Sequence, residues 1–121
     1  MTEYYPVWKG FQTGKYRLCV SNDILEEYQE MIELKTSPVV AKNVIDLLLK
    51  SKNVDFIDPR FKFRLIEADY DDNKFVDCAI AANATYIVSE DKHFDVLKDI
   101  PFPKLFVIRL KEFLIFLATL D

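Results

Sequence analysis

The sequence predicts an α/β domain of three layers, in which helices cover both faces of a central parallel sheet. Short apolar runs alternate with segments of helical period along the chain. The runs are almost continuously apolar, which is typical of strands buried on both faces. The chain has 121 residues, 50% of them apolar, with only 2 Gly and 5 Pro. It is therefore long enough for one domain with its own core.

The predicted elements follow one another without a linker. Apolar positions recurring every three or four residues predict helices at 5–11, 23–34, 38–49, 72–82, 94–97 and 111–120. Strands are expected at 16–20, 54–57, 63–66, 86–88 and 105–108. Ser21 and Ser37 precede two of the helices, and Asp71 or Asp72 precedes a third; each can accept a hydrogen bond from a free backbone N–H. We expect a single domain spanning residues 1–121.

Charge and cysteine content exclude some classes of protein. The net charge of -4 and a pI near 5.0 argue against non-specific nucleic-acid binding through a basic face. They do not exclude a nuclease, because a bound metal ion reverses the local charge. Cys19 and Cys78 are expected to be buried free thiols in a reducing cytoplasm. The apolar run 113–120 is too short to cross a bilayer, so no membrane association is expected.

Acidic residues occur where the predicted strands end and helices begin. Glu27 lies on the helix after the first strand, Asp72 opens the helix that leads to the strand 86–88, and Asp91 follows that strand. Ligands of parallel sheets bind beyond the carboxyl ends of the strands, and grouped carboxylates hold hard divalent cations. Each acid alone is adequately explained as a helix cap, a loop acid or a solvated residue. Considered together, the three favour a metal site suited to phosphodiester hydrolysis.

Two further residues could support that site. Asp77 is an auxiliary candidate ligand, although its position on the helix turns it partly away from Asp72. Ser89 could orient Asp91 or donate to a phosphate, and an ordinary turn serine explains it nearly as well. Asp69 and Asp71 are expected only to stabilise the start of the helix.

The remaining polar candidates carry less weight. His93 is the single histidine, which argues against a histidine-rich zinc site and against Ser-His-Asp catalysis. It is expected to be a surface loop residue. Lys74, Lys92 and Arg109 could contact a nucleic-acid backbone, but each is also typical of a solvated surface.

Three segments of the chain, 20–28, 69–79 and 86–93, resemble a PIN domain. The middle one is similar to the Asp-Pro-Asp-Asp-Asn-Lys-Phe signature of the branch assigned to toxins of toxin–antitoxin systems, with Tyr70 in place of proline. The last is similar to a Val-Ser/Thr-Gly-Asp turn, with Glu90 in place of glycine. The similarity covers nearly the whole chain from about Tyr4 onward.

The resemblance implies a three-layer α/β/α PIN-like domain and a metal-dependent endoribonuclease. In that family four acids bind Mg²⁺ or Mn²⁺, and Glu27, Asp72 and Asp91 match the second, third and fourth. The implied partners are an RNA substrate and a cognate antitoxin protein.

One departure from the family pattern affects the expected activity. PIN domains open with a strand ending in Asp-Thr/Ser-Asn, which supplies the first acid and the middle of the sheet, and no such strand precedes the first helix here. We therefore expect a sheet without its usual first strand and weak Mn²⁺ binding that is lost in Asp72→Asn. Exposed strand edges should favour homo-oligomers. Two alternatives stay open: an inactive module that binds an antitoxin or a second copy, and a different metal-dependent phosphohydrolase.

Overall fold

The computed structural model describes residues 5–66, 70–101 and 103–120, with the backbone alone at Tyr70. Its helices are α1 (Tyr5–Gln12), α2 (Asn22–Lys35), α3 (Pro38–Lys50), α4 (Asn73–Ala82) and α5 (Leu110–Ala118). Its strands are β1 (Leu18–Val20), β2 (Val54–Phe56), β3 (Ile87–Val88) and β4 (Val107–Ile108). There are also two 3₁₀ segments: Tyr70–Asp72 precedes α4, and Lys92–Asp99 follows β3.

Local signals in the sequence account for most of these elements. The hydroxyls of Ser21 and Ser37 accept hydrogen bonds from the N–H groups of Ile24 and Val40, so the predicted caps of α2 and α3 are confirmed. Pro38 occupies the first turn of α3, where its missing N–H costs nothing. The predicted helix at 94–97 is the core of the longer 3₁₀ segment Lys92–Asp99.

Two local predictions were wrong. Residues 63–66 form no strand: the side chain of Asn73 bonds both backbone groups of Ile66, and Asp77 accepts the N–H of Phe63 at 3.1 Å. The segment therefore bonds to the side chains of α4, and it pairs with no strand in the part of the chain that the structure describes. Asp72 has helical backbone angles and its side chain makes no capping hydrogen bond, because a 3₁₀ turn leads directly into α4. The alternative cap, Asp71, stays a prediction.

The α/β class and the parallel pairing are confirmed. Strand β1 pairs in parallel with β2, with Leu18 opposite Val54, and β3 pairs in parallel with β4, with Ile87 opposite Val107. Within the described residues these are two separate two-stranded sheets. Helix α4 packs against both β1 and β3 and so joins them.

One edge of β1 and one edge of β3 have no strand partner in the described part of the chain. Leu18 and Val20 direct their backbone groups toward β2, so the alternation of a parallel strand directs those of Cys19 to the opposite edge. Val88 holds the equivalent position in β3. Such edges can accept another strand, and the predicted self-association stays a prediction.

The hydrophobic core consists of two clusters that meet at α4. The first lies around β1, β2 and α2 and contains Phe11, Val20, Ile24, Leu25, Leu48, Val54 and Cys78. The second lies around β3, β4 and the 3₁₀ segment Lys92–Asp99 and contains Ile66, Val76, Ala79, Phe94, Leu97, Leu105 and Val107. Helix α4 contributes to both, and its Phe75 packs against both clusters. Burial of this apolar surface is the main stabilising contribution.

The two cysteines are free thiols, as predicted, but only Cys78 is fully buried; Cys19 is partly exposed. Burial raises the pKa of the Cys78 thiol to about 11, so this thiol stays protonated and unreactive at neutral pH. No helix in residues 5–66, 70–101 or 103–120 combines the length and apolar character needed to cross a membrane.

We predict that Asn73→Ala lowers the free energy of unfolding by about 2–3 kcal/mol, since it leaves the buried N–H and C=O of Ile66 without partners. Urea denaturation measures the change. Asn43→Ala, an exposed substitution on α3, is the control and should change stability by less than about 0.5 kcal/mol. Equal effects of the two substitutions would contradict the role given to Asn73.

Candidate metal centre

Two of the predicted acids lie at the ends of elements that belong to the second core cluster. Asp72 ends the 3₁₀ turn before α4; its side chain is 15% exposed and its Oδ2 atom is buried. Asp91 follows β3 and begins the 3₁₀ segment Lys92–Asp99, with 44% of its side chain exposed. The positions of Asp72 and Asp91 therefore both depend on packing against the second core cluster.

The fold brings Asp72, Asp91 and His93 together. A carboxylate oxygen of each acid and a ring nitrogen of the histidine lie within 4.8 Å of one another. The Nδ1 atom of His93 is 3.4 Å from Oδ2 of Asp72 and 3.4 Å from Oδ1 of Asp91. Sequence reasoning placed His93 in a surface loop; it is partly exposed, but its ring faces the two acids. Its position two residues after an acid that caps a turn was the available signal.

The donor set fits a divalent cation. Carboxylate oxygens and imidazole nitrogens are common ligands of divalent metals, at bond lengths of about 2.0–2.2 Å. Two ligands on one such cation are separated by roughly 3.0–3.4 Å for bond angles between octahedral and tetrahedral. The two separations from Nδ1 of His93, 3.4 Å each, agree with this geometry, and all three donor atoms lie within 4.8 Å of one another.

Short-range hydrogen bonds shape the turn that carries Asp91. The Oγ atom of Ser89 accepts the N–H of Asp91 at 3.0 Å, and Oδ1 of Asp91 accepts the N–H of His93 at 2.9 Å. Ser89 thus contacts the backbone of Asp91, in keeping with the positioning role considered for it.

Arg109, which directly follows β4, makes hydrogen bonds to the same turn. Its Nη1 donates to the carbonyls of Ser89 and Asp91 at 3.0 and 3.2 Å, and its Nη2 donates to both carboxylate oxygens of Asp95. Oε2 of Glu90 accepts the N–H of Leu110, which adds a second connection. Arg109 was expected to contact RNA or to be solvated. Its guanidinium instead makes hydrogen bonds within the protein.

Glu27 lies outside this three-residue cluster. Its Oε1 is 2.6 Å from Nζ of Lys74 on α4. Burial lowers the pKa of Lys74, but the hydrogen bond and the attraction of Glu27 outweigh it and raise that pKa above its usual value. The lysine is charged at neutral pH and neutralises Glu27. A role of Glu27 as a metal ligand stays a prediction.

Asp77 also has a different environment from the cluster. It is buried on α4, and its Oδ1 accepts the N–H of Phe63, which fixes the irregular segment before α4. Its role as an auxiliary ligand stays a prediction. Asp71 is exposed in the turn beside Asp72, and Asp69 lies outside the described residues.

Comparison with known families identifies the architecture. The family model described as PIN domain matches residues 2–93, a span that includes Asp72, Asp91 and His93. The chain belongs to the PIN-domain family. No curated protein and no solved structure gave a significant match. Membership indicates a nuclease-like function in general, and PIN domains typically bind a divalent metal, in agreement with the donor set found here.

We predict that Arg109→Lys loosens the turn of residues 89–93. Lysine keeps the charge but cannot reach two carbonyls and a carboxylate at once. The local opening free energy should fall by about 1.5 kcal/mol, so hydrogen exchange of these amides should be roughly tenfold faster.

The matched control for this prediction is Arg17→Lys. Arg17 makes a similar contact with both oxygens of Asp55 and with the carbonyl of Lys52, beside the other sheet. Equal acceleration of residues 89–93 in both variants would show that Arg109 has no specific hold on the turn.

Proposed function

We propose that this chain is a metal-dependent endoribonuclease in which Asp72 and Asp91 bind Mg²⁺ or Mn²⁺ beside an RNA phosphodiester. The observation that carries the proposal is the convergence of these carboxylates, from two separate segments of the matched region, with a third donor group at ligand spacing. Ser89 and Arg109 both contact the backbone of Asp91 and so fix the turn that carries its carboxylate.

The residues divide the work of the site between them. A divalent cation bound there supplies charge neutralisation of the phosphate and a water of lowered pKa. Asp72 and Asp91 offer oxygen ligands, while Ser89 and Arg109 keep the Asp91 turn in position. Lys74 pairs with Glu27 and neutralises its charge.

We further propose that the nuclease is the toxin of a cytoplasmic toxin–antitoxin pair, inhibited by a cognate antitoxin protein. Support comes from the segments 69–79 and 86–93, which resemble that branch of the family. The edges of β1 and β3 that have no strand partner among the described residues offer a surface for the antitoxin or for a second copy of the chain.

A catalytically inactive binding module is the second candidate. The ion pair of Glu27 with Lys74 favours it, because an acid expected to bind metal is already neutralised. The same strand edges would then be the functional surface. RNA cleavage separates the two candidates.

We predict that the chain cleaves single-stranded RNA with Mn²⁺ or Mg²⁺, and that a chelator stops the reaction. Asp72→Asn and Asp91→Asn should each lower the rate by about 100-fold or more, since each removes a metal ligand. Asp71→Asn removes one charge from the adjacent exposed position and should leave the rate within about threefold. Parallel assays with DNA and a small phosphate ester identify a broader phosphohydrolase.

Cleavage that continues with chelator present, or in Asp72→Asn, would contradict the metal-dependent mechanism. Stable binding of a cognate antitoxin protein by a chain that cleaves no RNA would favour the binding module.

We predict that Glu27→Gln lowers the affinity for Mn²⁺ less than Asp72→Asn does, because Lys74 already neutralises Glu27. Titration calorimetry with MnCl₂ measures both, with Glu26→Gln, an exposed neighbour on α2, as the control. An equal loss in Glu27→Gln and Asp72→Asn would show that Glu27 leaves Lys74 and binds the cation directly.

A further inference from the structure

We propose that His93 is the third protein ligand of this centre and makes it select first-row transition cations over Mg²⁺. This inference rests on the proposed metal site and adds a nitrogen donor to it. The cations concerned are those that accept imidazole readily, of which Zn²⁺ and Co²⁺ should bind more tightly than Mn²⁺.

The first argument is distance. Nδ1 of His93 lies 3.4 Å from a carboxylate oxygen of each acid. Both separations exceed the 2.7–3.2 Å usual for N–H···O hydrogen bonds. They are close to the spacing of two ligands that share one small cation. The imidazole therefore faces both acids at a separation suited to joint coordination of one small cation.

The second argument is that the backbone of His93 is held in place. Its N–H donates to Oδ1 of Asp91, and the same 3₁₀ segment buries Phe94 and Leu97 in the core. Asp91 is itself held in place, because Arg109 donates a hydrogen bond to its carbonyl. Only the side-chain torsions of His93 are left to adjust, so little entropy is lost when Nδ1 binds a cation.

The third argument is ligand chemistry. Mg²⁺ prefers oxygen ligands in a near-octahedral arrangement and keeps several waters, whereas imidazole suits the later first-row metals. Of the two carboxylates and the imidazole, Mg²⁺ should bind only the carboxylates, whereas a transition cation should bind all three groups. Affinity should therefore rise from Mg²⁺ through Mn²⁺ and Co²⁺ to Zn²⁺.

The chain offers a direct reporter, because His93 is its single histidine. A tag-free chain labelled with ¹⁵N in histidine gives one set of imidazole nitrogen signals. Addition of ZnCl₂ should shift the Nδ1 signal as the metal binds it, and MgCl₂ should leave Nδ1 nearly unchanged.

Titration calorimetry with the metal chlorides gives the second measurement. His93→Gln should weaken Zn²⁺ binding by about tenfold or more, because removal of a direct ligand should cost at least the roughly 10–100-fold that is common for groups that only support the ligands. Its Mg²⁺ affinity should stay within about twofold. Lys92→Gln, an exposed change in the same turn, should alter neither.

The outcomes separate this inference from the proposed function. An unmoved Nδ1 signal and unchanged Zn²⁺ affinity in His93→Gln, with binding lost in Asp72→Asn, would overturn the role of His93 and leave the metal site standing. Zn²⁺ affinity that is the same in Asp72→Asn, Asp71→Asn and the unmodified chain would overturn the site itself.

Discussion

The packing of α4 between two half-sheets is the constraint on which the rest of this structure depends. The strand pairs β1–β2 and β3–β4 share no ladder hydrogen bonds within the described residues. Their relative position is therefore not fixed by a continuous sheet. Cys78 of α4 is buried in one core cluster and Val76 in the other, both almost completely. A change in the packing of α4 would alter both clusters together.

The position of the metal centre follows from that packing. Asp72 stands at the start of α4 and Asp91 at the end of β3, so the space between their carboxylates depends on how α4 lies against β3. Two buried side chains of α4, Asn73 and Asp77, also bond the backbone of the irregular segment before it. These polar contacts anchor the chain that leads to Asp72.

The acidic residues of this region have distinct structural roles. Glu27 pairs with Lys74 and Asp95 pairs with Arg109, so their charges are neutralised by neighbours. Asp77 is used inside the fold as a hydrogen-bond acceptor. Asp72 and Asp91 instead converge on the ring of His93. The number of acids in the sequence is therefore a poor guide to the number of metal ligands.

The sequence by itself determined the elements that depend on near neighbours. Periodicity and the caps Ser21 and Ser37 are local properties, so α2 and α3 could be predicted closely, and the family could be recognised from the segments that carry Asp72 and Asp91. Only the tertiary structure decided that residues 63–66 bond to α4, that Lys74 forms an ion pair with Glu27, and that the ring of His93 lies beside Asp72 and Asp91. Each of those outcomes depends on how side chains are directed in space once α4 packs against its neighbours, and periodicity does not give those directions.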